Sequence, residues 1–296
     1  MPTPFPPALR RSLDLLRCPA CRNRPLHLDG TALRCPDGHT YDIARHGYVS
    51  LLTGTRARSG DDAPMARARE QFLATGKYAP IRRTVADLAA RSLPERGTVL
   101  DAGCGTGHYL AGVLDRAPHA HGLGLDTSVR ALRRAARTHS RAAAATWDLY
   151  RPLPLADRTA DVVLNVFAPR NPAEFHRVLR PAGRLIVVRP TGRHLRELRE
   201  RTPGMVDVDP GKEQRLHRAL TPYFTAERTE RVEYAMALTA PQTSALLGMT
   251  PSARHLNPSH IEAADSPEVT VSVLATVYRP LHGDPHDIGP GKTRCG

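Results

Sequence analysis

The sequence predicts an α/β fold: a doubly wound, mostly parallel sheet with a small metal-stapled module ahead of it. Three observations carry this. Short apolar runs alternate with helical ones from about residue 98. The first of those runs ends in the turn Asp101-Ala-Gly103-Cys104-Gly105-Thr106-Gly107. Three of the five cysteines fall between residues 18 and 35. At 296 residues and 41% hydrophobic composition, the chain can bury one sizeable core plus an accessory module. The expected boundaries are 1–60 for the cysteine module, 61–95 for a linking helical region, 96–280 for the main domain and 281–296 for a disordered tail.

In chain order, the first element is the cysteine module. Cys18-x2-Cys21 is followed, thirteen residues on, by Cys35-x3-His39. Two donor pairs in tight turns place four soft ligands tetrahedrally, and a Cys3His set is an ordinary structural zinc site. Proline and glycine in Cys18-Pro-Ala-Cys21 and Cys35-Pro-Asp-Gly-His39 let the backbone curl so that the donors converge. An odd cysteine count in a cytosolic-looking chain argues against a disulfide instead. Four protein ligands leave no open position for water, so the expected single zinc is structural. His27 and His46 lack a paired donor and read as surface residues.

Charge bounds the partners. Forty-two Lys and Arg against 29 Asp and Glu leave +13, with a pI near 10.2. Codon bias in a GC-rich genome accounts for arginine over lysine but not for the missing acids, so a polyanion such as nucleic acid is expected. The first 60 residues alone hold nine Arg and four Asp. No run approaches the roughly 18 apolar residues that span a bilayer, and the proline-rich N-terminus lacks a signal-peptide pattern. The expectation is a cytoplasmic protein with no membrane partner.

The main domain follows strand by strand. TVLDAG reads as a buried parallel strand, HYLAGVLDRA as a helix and HGLGLD as a second strand. SVRALRRAARTHSR reads as a helix over 128–141 capped by Ser128. AAAATWD and ADVVLNVFAP are the third and fourth strands; NPAEFHRVLRPAG is a helix ending at glycine, and RLIVVRP is the fifth strand. Residues 225–240 and 266–279 read as closing antiparallel strands. Such a sheet carries its site at the strands' C-terminal ends. Arg130, Arg133, Arg134, Arg137 and Arg141 recur at spacings of three and four on the 128–141 helix, which suits either a solvated face or a stripe that tracks phosphates.

The glycine turn narrows the ligand. Alternating glycines let backbone approach a ligand without Cβ interference. Asp126 ends the next strand 19 residues after Gly107, where a carboxylate accepts both hydroxyls of a ribose. The spacing is G-x-G-x-G, not the G-x-G-x-x-G of nicotinamide-binding domains. With its preceding acid it resembles the first motif of class I S-adenosylmethionine-dependent methyltransferases.

The resemblance extends along the chain through HTYDIARHGYVSLL, EQFLATGKYAPIRR, DAGCGTGHY, NVFAPRNPAEFHRVLRPAGRL and PTGRHLRELRE. Together with the cysteine module, from Cys18 to about Pro280, these are similar to the bacterial 23S rRNA guanine-N1 methyltransferases, and within them to the macrolide-resistance branch of Gram-positive bacteria. The resemblance implies a zinc-ribbon domain, a class I methyltransferase (Rossmann-like) domain, S-adenosylmethionine as cofactor, and a guanine in a 23S rRNA hairpin of the large ribosomal subunit as target. A homodimer is left open. Matching the family's motifs residue by residue implies cofactor contacts at Tyr78, Gly107, His108 and His194. Gly103 and Gly105 join them from the turn itself, Asp126 from the end of the second strand, Asp148 from the end of the third and Asn165 from the segment after the fourth.

Guanine N1 carries a proton and is a poor nucleophile until that proton leaves, so alignment and stabilisation of charge on O6 are the expected contributions. In Asn165-Val-Phe167-Ala-Pro169-Arg170-Asn171, Phe167 suits stacking on the base and Arg170 suits O6. No carboxylate there is an obvious base, and no catalytic residue is assigned. Two other readings stand beside this one. A small-molecule methyltransferase of the same fold needs neither the zinc module nor the charge; a non-catalytic zinc-ribbon RNA-binding protein needs no intact glycine turn.

Overall fold

The computed structural model describes residues 6–22, 24–52, 60–205, 211–254 and 268–281; the expected tail after Leu281 lies outside them. Helix α1 (Pro7–Ser12) opens with proline in its first turn, where the missing N–H costs nothing. The cysteine module follows as three antiparallel strands, β1 (His27–Asp29), β2 (Ala32–Arg34) and β3 (Thr40–Asp42). Three-residue strands bury little beyond Leu33 and Tyr41, too little for a core of their own. The region expected to link the two parts forms α2 (Ala63–Ala74) and α3 (Ala79–Ala90), whose Phe72, Ile81, Val85 and Leu88 are buried in the main core.

The remaining elements are β4 (Thr98–Ala102), α4 (His108–Arg116), β5 (His121–Asp126), α5 (Val129–Ala135), β6 (Ala142–Thr146), β7 (Ala160–Val166), α6 (Pro172–Val178), β8 (Leu179–Pro190), α7 (Arg196–Arg201), α8 (Lys212–Leu220), β9 (Phe224–Ala237), α9 (Ala240–Gly248) and β10 (Glu268–Pro280). Seven strands form one sheet in the order β6-β5-β4-β7-β8-β10-β9. The first five are parallel, and β10 runs antiparallel to both β8 and β9. The chain winds outward from β4 to β6 and then restarts at β7 on the other side of β4, so a crevice opens at the C-terminal ends of β4 and β7. Every residue of β4, β6 and β7 is buried, which is why these strands read as continuous apolar runs rather than alternating ones. Glycines thin β5 for a steric reason: a Cβ at Gly122 would sit 2.5 Å from Leu110, and one at Gly124 would sit 2.6 Å from the Cys104 sulfur.

Two expectations, both helix ends, are corrected. The helix at 128–141 ends at Ala135: Thr138 N–H turns back to Ala135 O, Arg141 N–H bonds His139 Nδ1 at 3.0 Å, and the chain enters β6. Ser128 caps it as expected, accepting from Ala131 N–H. The helix at 171–183 ends at Val178, not at glycine. Leu179 is already extended and pairs with Ala160, and Arg180 precedes Pro181, which disfavours helical backbone there. The two closing strands pair antiparallel as expected, and β10 is also the one that runs antiparallel to the parallel set through β8.

The N-terminal module is welded to the sheet. Helix α1 packs on β5 and β6. Leu16 bridges Leu155, and Arg17 N–H donates to Pro154 O at 2.8 Å. Val49 extends the sheet beyond β6, donating to Ala144 O at 3.0 Å and accepting from Thr146 N–H at 2.9 Å. Leu9, Leu16, Leu33 and Tyr41 therefore share one buried cluster with Leu100, Leu123, Ala145 and Trp147. Because that cluster is common property, Leu16→Ala should cost about 2–5 kcal/mol. Urea unfolding followed by the fluorescence of Trp147, the single tryptophan, should coincide with unfolding followed by circular dichroism. Two separated transitions would mean that module and sheet fold independently.

Candidate functional site

The glycine turn between β4 and α4 sits at the crevice, with Gly103, Gly105 and Gly107 all left-handed at φ +86°, +52° and +80°. Their surroundings differ. A Cβ at Gly103 would lie 2.3 Å from Ala168 Cβ, and one at Gly107 would lie 2.8 Å from Thr138 Cγ2 and 3.1 Å from Ala135 Cα. Protein packing requires those two glycines. Gly105 meets only the Arg69 side chain at 3.5 Å, so it is the glycine whose face is open to a ligand. Asp126 holds the turn: its two oxygens accept the N–H groups of Gly105 and Ser128, each at 2.8 Å. Burial raises its carboxyl above the usual range while those two N–H groups pull it down.

Four buried polar atoms without a hydrogen-bond partner belong to the strand ends and helix start that frame this turn: Asp101 Oδ2, His108 Nε2, Trp147 Nε1 and Asn165 Oδ1. A fifth, Arg170 Nε, lies in the segment after β7 with Tyr278 and Arg189 as its titratable neighbours. These five are most of the eight such side-chain atoms among the described residues. Each orphan of this kind costs on the order of 1–3 kcal/mol unless something fills it. A concentration of donors and acceptors at one edge fits a ligand rich in polar groups, such as an adenosine carrying an amino acid. Burial pushes the His108 imidazole down to about 4, and burial together with the neighbouring Asp126 charge pushes Asp101 up to about 7. Asn165 Nδ2 donates to Ala102 O at 3.2 Å and to Pro169 O at 2.8 Å, which spends both of its hydrogens on the loop and leaves only its oxygen open. Asp148 Oδ1 accepts Tyr150 N–H at 3.0 Å and so shapes its own turn.

Beside the turn, four rings converge. Phe167 ends β7 in left-handed backbone, φ +54°, a conformation a bulky side chain adopts only when its surroundings impose it. It is 38% exposed and lies 6.0 Å from His194 at an interplanar angle of 20°. Tyr78 and Tyr109 each lie 6.5 Å from it. The protonation of His194 follows from its bonds: Nδ1 accepts Ser272 N–H at 3.2 Å, so the ring proton is on Nε2, 3.4 Å from Tyr78 Oη. Burial holds this imidazole down at about 4, so it is neutral near pH 7.

The structure thus gathers Tyr78, Gly103, Gly105, Gly107, His108, Asp126, Asn165 and His194 at one edge, with Asp148 at the end of the next strand outward. Sequence reading missed Asp101, Tyr109 and Arg69. The acid that opens the glycine turn and the tyrosine in GHY were visible signals. Arg69 had none: it spans from α2 to α9, bonding Asp61 at 2.5 Å and Met249 O at 2.9 Å over Gly105.

The four expected metal ligands also meet. The Sγ atoms of Cys18, Cys21 and Cys35 and Nδ1 of His39 all lie within 4.8 Å of one another. Cys21 and Cys35 are 3.9 Å apart, and His39 Nδ1 is 3.2 and 3.4 Å from them. With zinc–ligand bonds of about 2.0–2.3 Å, tetrahedral edges of this order follow, so the donor set fits zinc and closes it to water. Arg24 pairs with Asp37 and Arg34 with Asp29, which neutralises part of the module's positive charge. On and after α5, Arg134 pairs with Glu70, and Arg141 bonds the carbonyls of Leu114, Ala117 and Ala120. Those two arginines belong to the fold.

A family model described as RlmA, N-terminal, a zinc ribbon, matches residues 16–59, and a methyltransferase domain model matches residues 99–184. A protein of Micromonospora griseorubida named as a 23S rRNA guanine-N1 methyltransferase is 47% identical, covering 91% of this chain and 98% of its own. The 23S rRNA (guanine(748)-N(1))-methyltransferase of Streptomyces fradiae is 44% identical, covering 90% of this chain and 97% of its own. Among solved structures, the YcgJ protein of Bacillus subtilis superposes with a TM-score of 0.46 at 15% identity, over 68% of this chain and 99% of its own.

Three outcomes test the site. Cys35→Ser should abolish stoichiometric zinc, read by metal analysis of the purified protein; retained full stoichiometry would remove Cys35 from the ligands. Gly105→Val should abolish calorimetric binding of S-adenosylmethionine, while Asp126→Asn, which keeps an acceptor for the turn, should weaken it by about 1–3 kcal/mol. The third concerns acid. Below the ordinary histidine pKa of about 6.5, the unfolded chain binds protons that buried His194 refuses down to about 4. Stability from this group therefore falls as pH drops through that window. Asp101 acts with the opposite sign between its ordinary 3.8 and about 7, so the comparison must isolate the histidine. His194→Gln should lose less melting temperature than the parent on acidification from pH 6.5 to 4; parallel losses would show that His194 titrates normally.

Proposed function

The chain belongs to the 23S rRNA (guanine-N1) methyltransferases, and from that premise we propose that it transfers the methyl group of S-adenosylmethionine to N1 of a guanine in a 23S rRNA hairpin. The observation that carries this is the cluster of unpartnered polar atoms around an open Gly105 and the ribose-competent Asp126, beside an exposed aromatic ring. The bound cofactor supplies an electrophilic methyl on its sulfonium.

The chain's own residues then align and shield. Each Asp126 oxygen already accepts one N–H and keeps lone pairs for the ribose hydroxyls. Asp148 and the indole Nε1–H of Trp147 would serve the adenine, and Asn165 Oδ1 would accept from the cofactor's ammonium. His108 and Tyr78 complete the cofactor's surroundings: with His194 donating to Tyr78 Oη, the phenol's own proton is free to be donated. Phe167 offers its face to the target base and excludes water from the transfer. Arg170, three residues after Phe167 and with its Nε–H unpartnered, is the cation of this segment that would stabilise charge gathering on O6 as N1 loses its proton, if its guanidinium turns from Tyr278 and Arg189 toward the base. Cys18, Cys21, Cys35 and His39 would hold a structural zinc that ties the short ribbon strands together, while α1, Leu16 and Val49 join the ribbon to the sheet. No helix among the described residues is long and apolar enough to cross a membrane; work on ribosomal RNA supports a cytoplasmic protein. We further propose that methylation at N1 protects the ribosome of its host from a macrolide.

Neither rival has an observation in its favour: the glycine turn is intact, and the zinc donors converge. Incubation with labelled cofactor and either protein-free 23S rRNA or a small-molecule extract separates all three readings. Label should enter the rRNA and create a reverse-transcription stop, because an N1 methyl blocks Watson–Crick pairing. Label in the extract alone, or in neither, would overturn the proposal.

A further inference from the structure

Where the ribbon segment, α2 and α5 meet, a cavity of about 290 Å³ has His46, Arg67, Glu70, Arg130, Arg133, Arg134 and Arg137 in its lining. It is just below the roughly 300–1,000 Å³ range of small-ligand sites. Glu70 is the one carboxylate in the lining, and it is taken by Arg134, whose Nε donates to it at 2.8 Å. The guanidiniums of Arg67, Arg130, Arg133 and Arg137 have no ion pair among the described residues. Four like charges around one cavity repel unless a counter-charge is drawn in.

Two buried donors point the same way. Arg133 Nε has no partner. His46 Nε2 accepts from Arg45 Nε at 3.4 Å, which leaves the neutral ring's proton on Nδ1, and that atom is also buried without a partner. The cavity is therefore short of acceptors, not donors. It asks for a compact anion with several lone pairs. Its helix begins at Ser128, two residues after Asp126, so the cavity and the cofactor edge are carried by one rigid element.

We propose that this cavity is a binding site for a backbone phosphodiester of the RNA, seated between ribbon and methyltransferase fold and fixing the register in which the target base reaches the cleft. The proposal rests on the rRNA reading above. Arg130, Arg133 and Arg137 make the site with Arg67 and His46; Arg134 also lines it but spends its charge on Glu70, and Arg141 lies outside the lining.

The test compares the full chain with R133E/R137E and with R83E/R96E, a change of equal charge at exposed residues of α3 and the loop before β4. Binding of an in-vitro-transcribed 23S rRNA hairpin is measured across a salt series, alongside calorimetric binding of S-adenosylmethionine. R133E/R137E should lose at least about tenfold in RNA affinity and lower the salt slope by about 0.7–0.9 for each phosphate it no longer neutralises, with cofactor affinity unchanged. The charge-neutral R133Q/R137Q should melt higher than the parent without RNA, because like-charge repulsion is relieved. An unchanged slope, or an equal loss in R83E/R96E, would overturn the phosphate site. Failure of the parent to methylate 23S rRNA at all would instead overturn the function on which the site rests.

Discussion

The architecture hangs on one carboxylate. Asp126 ends β5, and its two oxygens receive the N–H groups of Gly105 and Ser128. One hydrogen bond stops the glycine turn from collapsing into the crevice, and the other sets the start of α5. Glycine is required at 103 and 107 on two counts, a left-handed backbone and neighbours, Ala168 and Thr138, that leave no room for a Cβ. A buried carboxylate is costly unless its lone pairs are used, and here they order two elements at once. That is why a residue suited to ribose also acts as a structural tie.

A second constraint joins the zinc module to the sheet. The three short strands around Cys18, Cys21, Cys35 and His39 cannot stand on their own apolar area. They lean on α1, on the Leu16–Leu155 bridge and on Val49, which adds a short strand-like edge beside β6. The ribbon is therefore set at a fixed angle to the crevice, and His46 reaches the arginines of α5 from it. Rigid placement of two basic surfaces is what a folded RNA requires if one base is to enter a pocket while the backbone is held outside.

Much of this was legible in the sequence, for definite reasons. The donor spacing of the cysteines, the alternating glycines and the apolar runs are local signals, and each maps to one element. Helix ends were not legible, because they are decided by distant partners. The helix after Ser128 stops at Ala135 where Arg141 is drawn to carbonyls at the end of α4, and the helix after Asn171 stops where Leu179 finds Ala160. The arginine stripe shows the same limit. Five arginines at helical spacing look alike in sequence, but Glu70 removes one and the α4 carbonyls remove another. Tyr78 and His194 were reached through resemblance alone; only the fold shows that they meet, through Tyr78 Oη and His194 Nε2. The strain at Phe167 has no sequence signature, since nothing in its neighbours demands a positive φ.

Methyl transfer to N1 is a position on a base, and nucleoside-resolved mass spectrometry reads it directly. 23S rRNA from cells lacking this modification, incubated with the purified zinc-loaded chain and S-adenosylmethionine, should yield 1-methylguanosine as the single new methylated nucleoside. It should be absent when the Gly105→Val protein is used. Methylation appearing on N2, N7 or the ribose, or 1-methylguanosine formed equally by the Gly105→Val protein, would contradict the account.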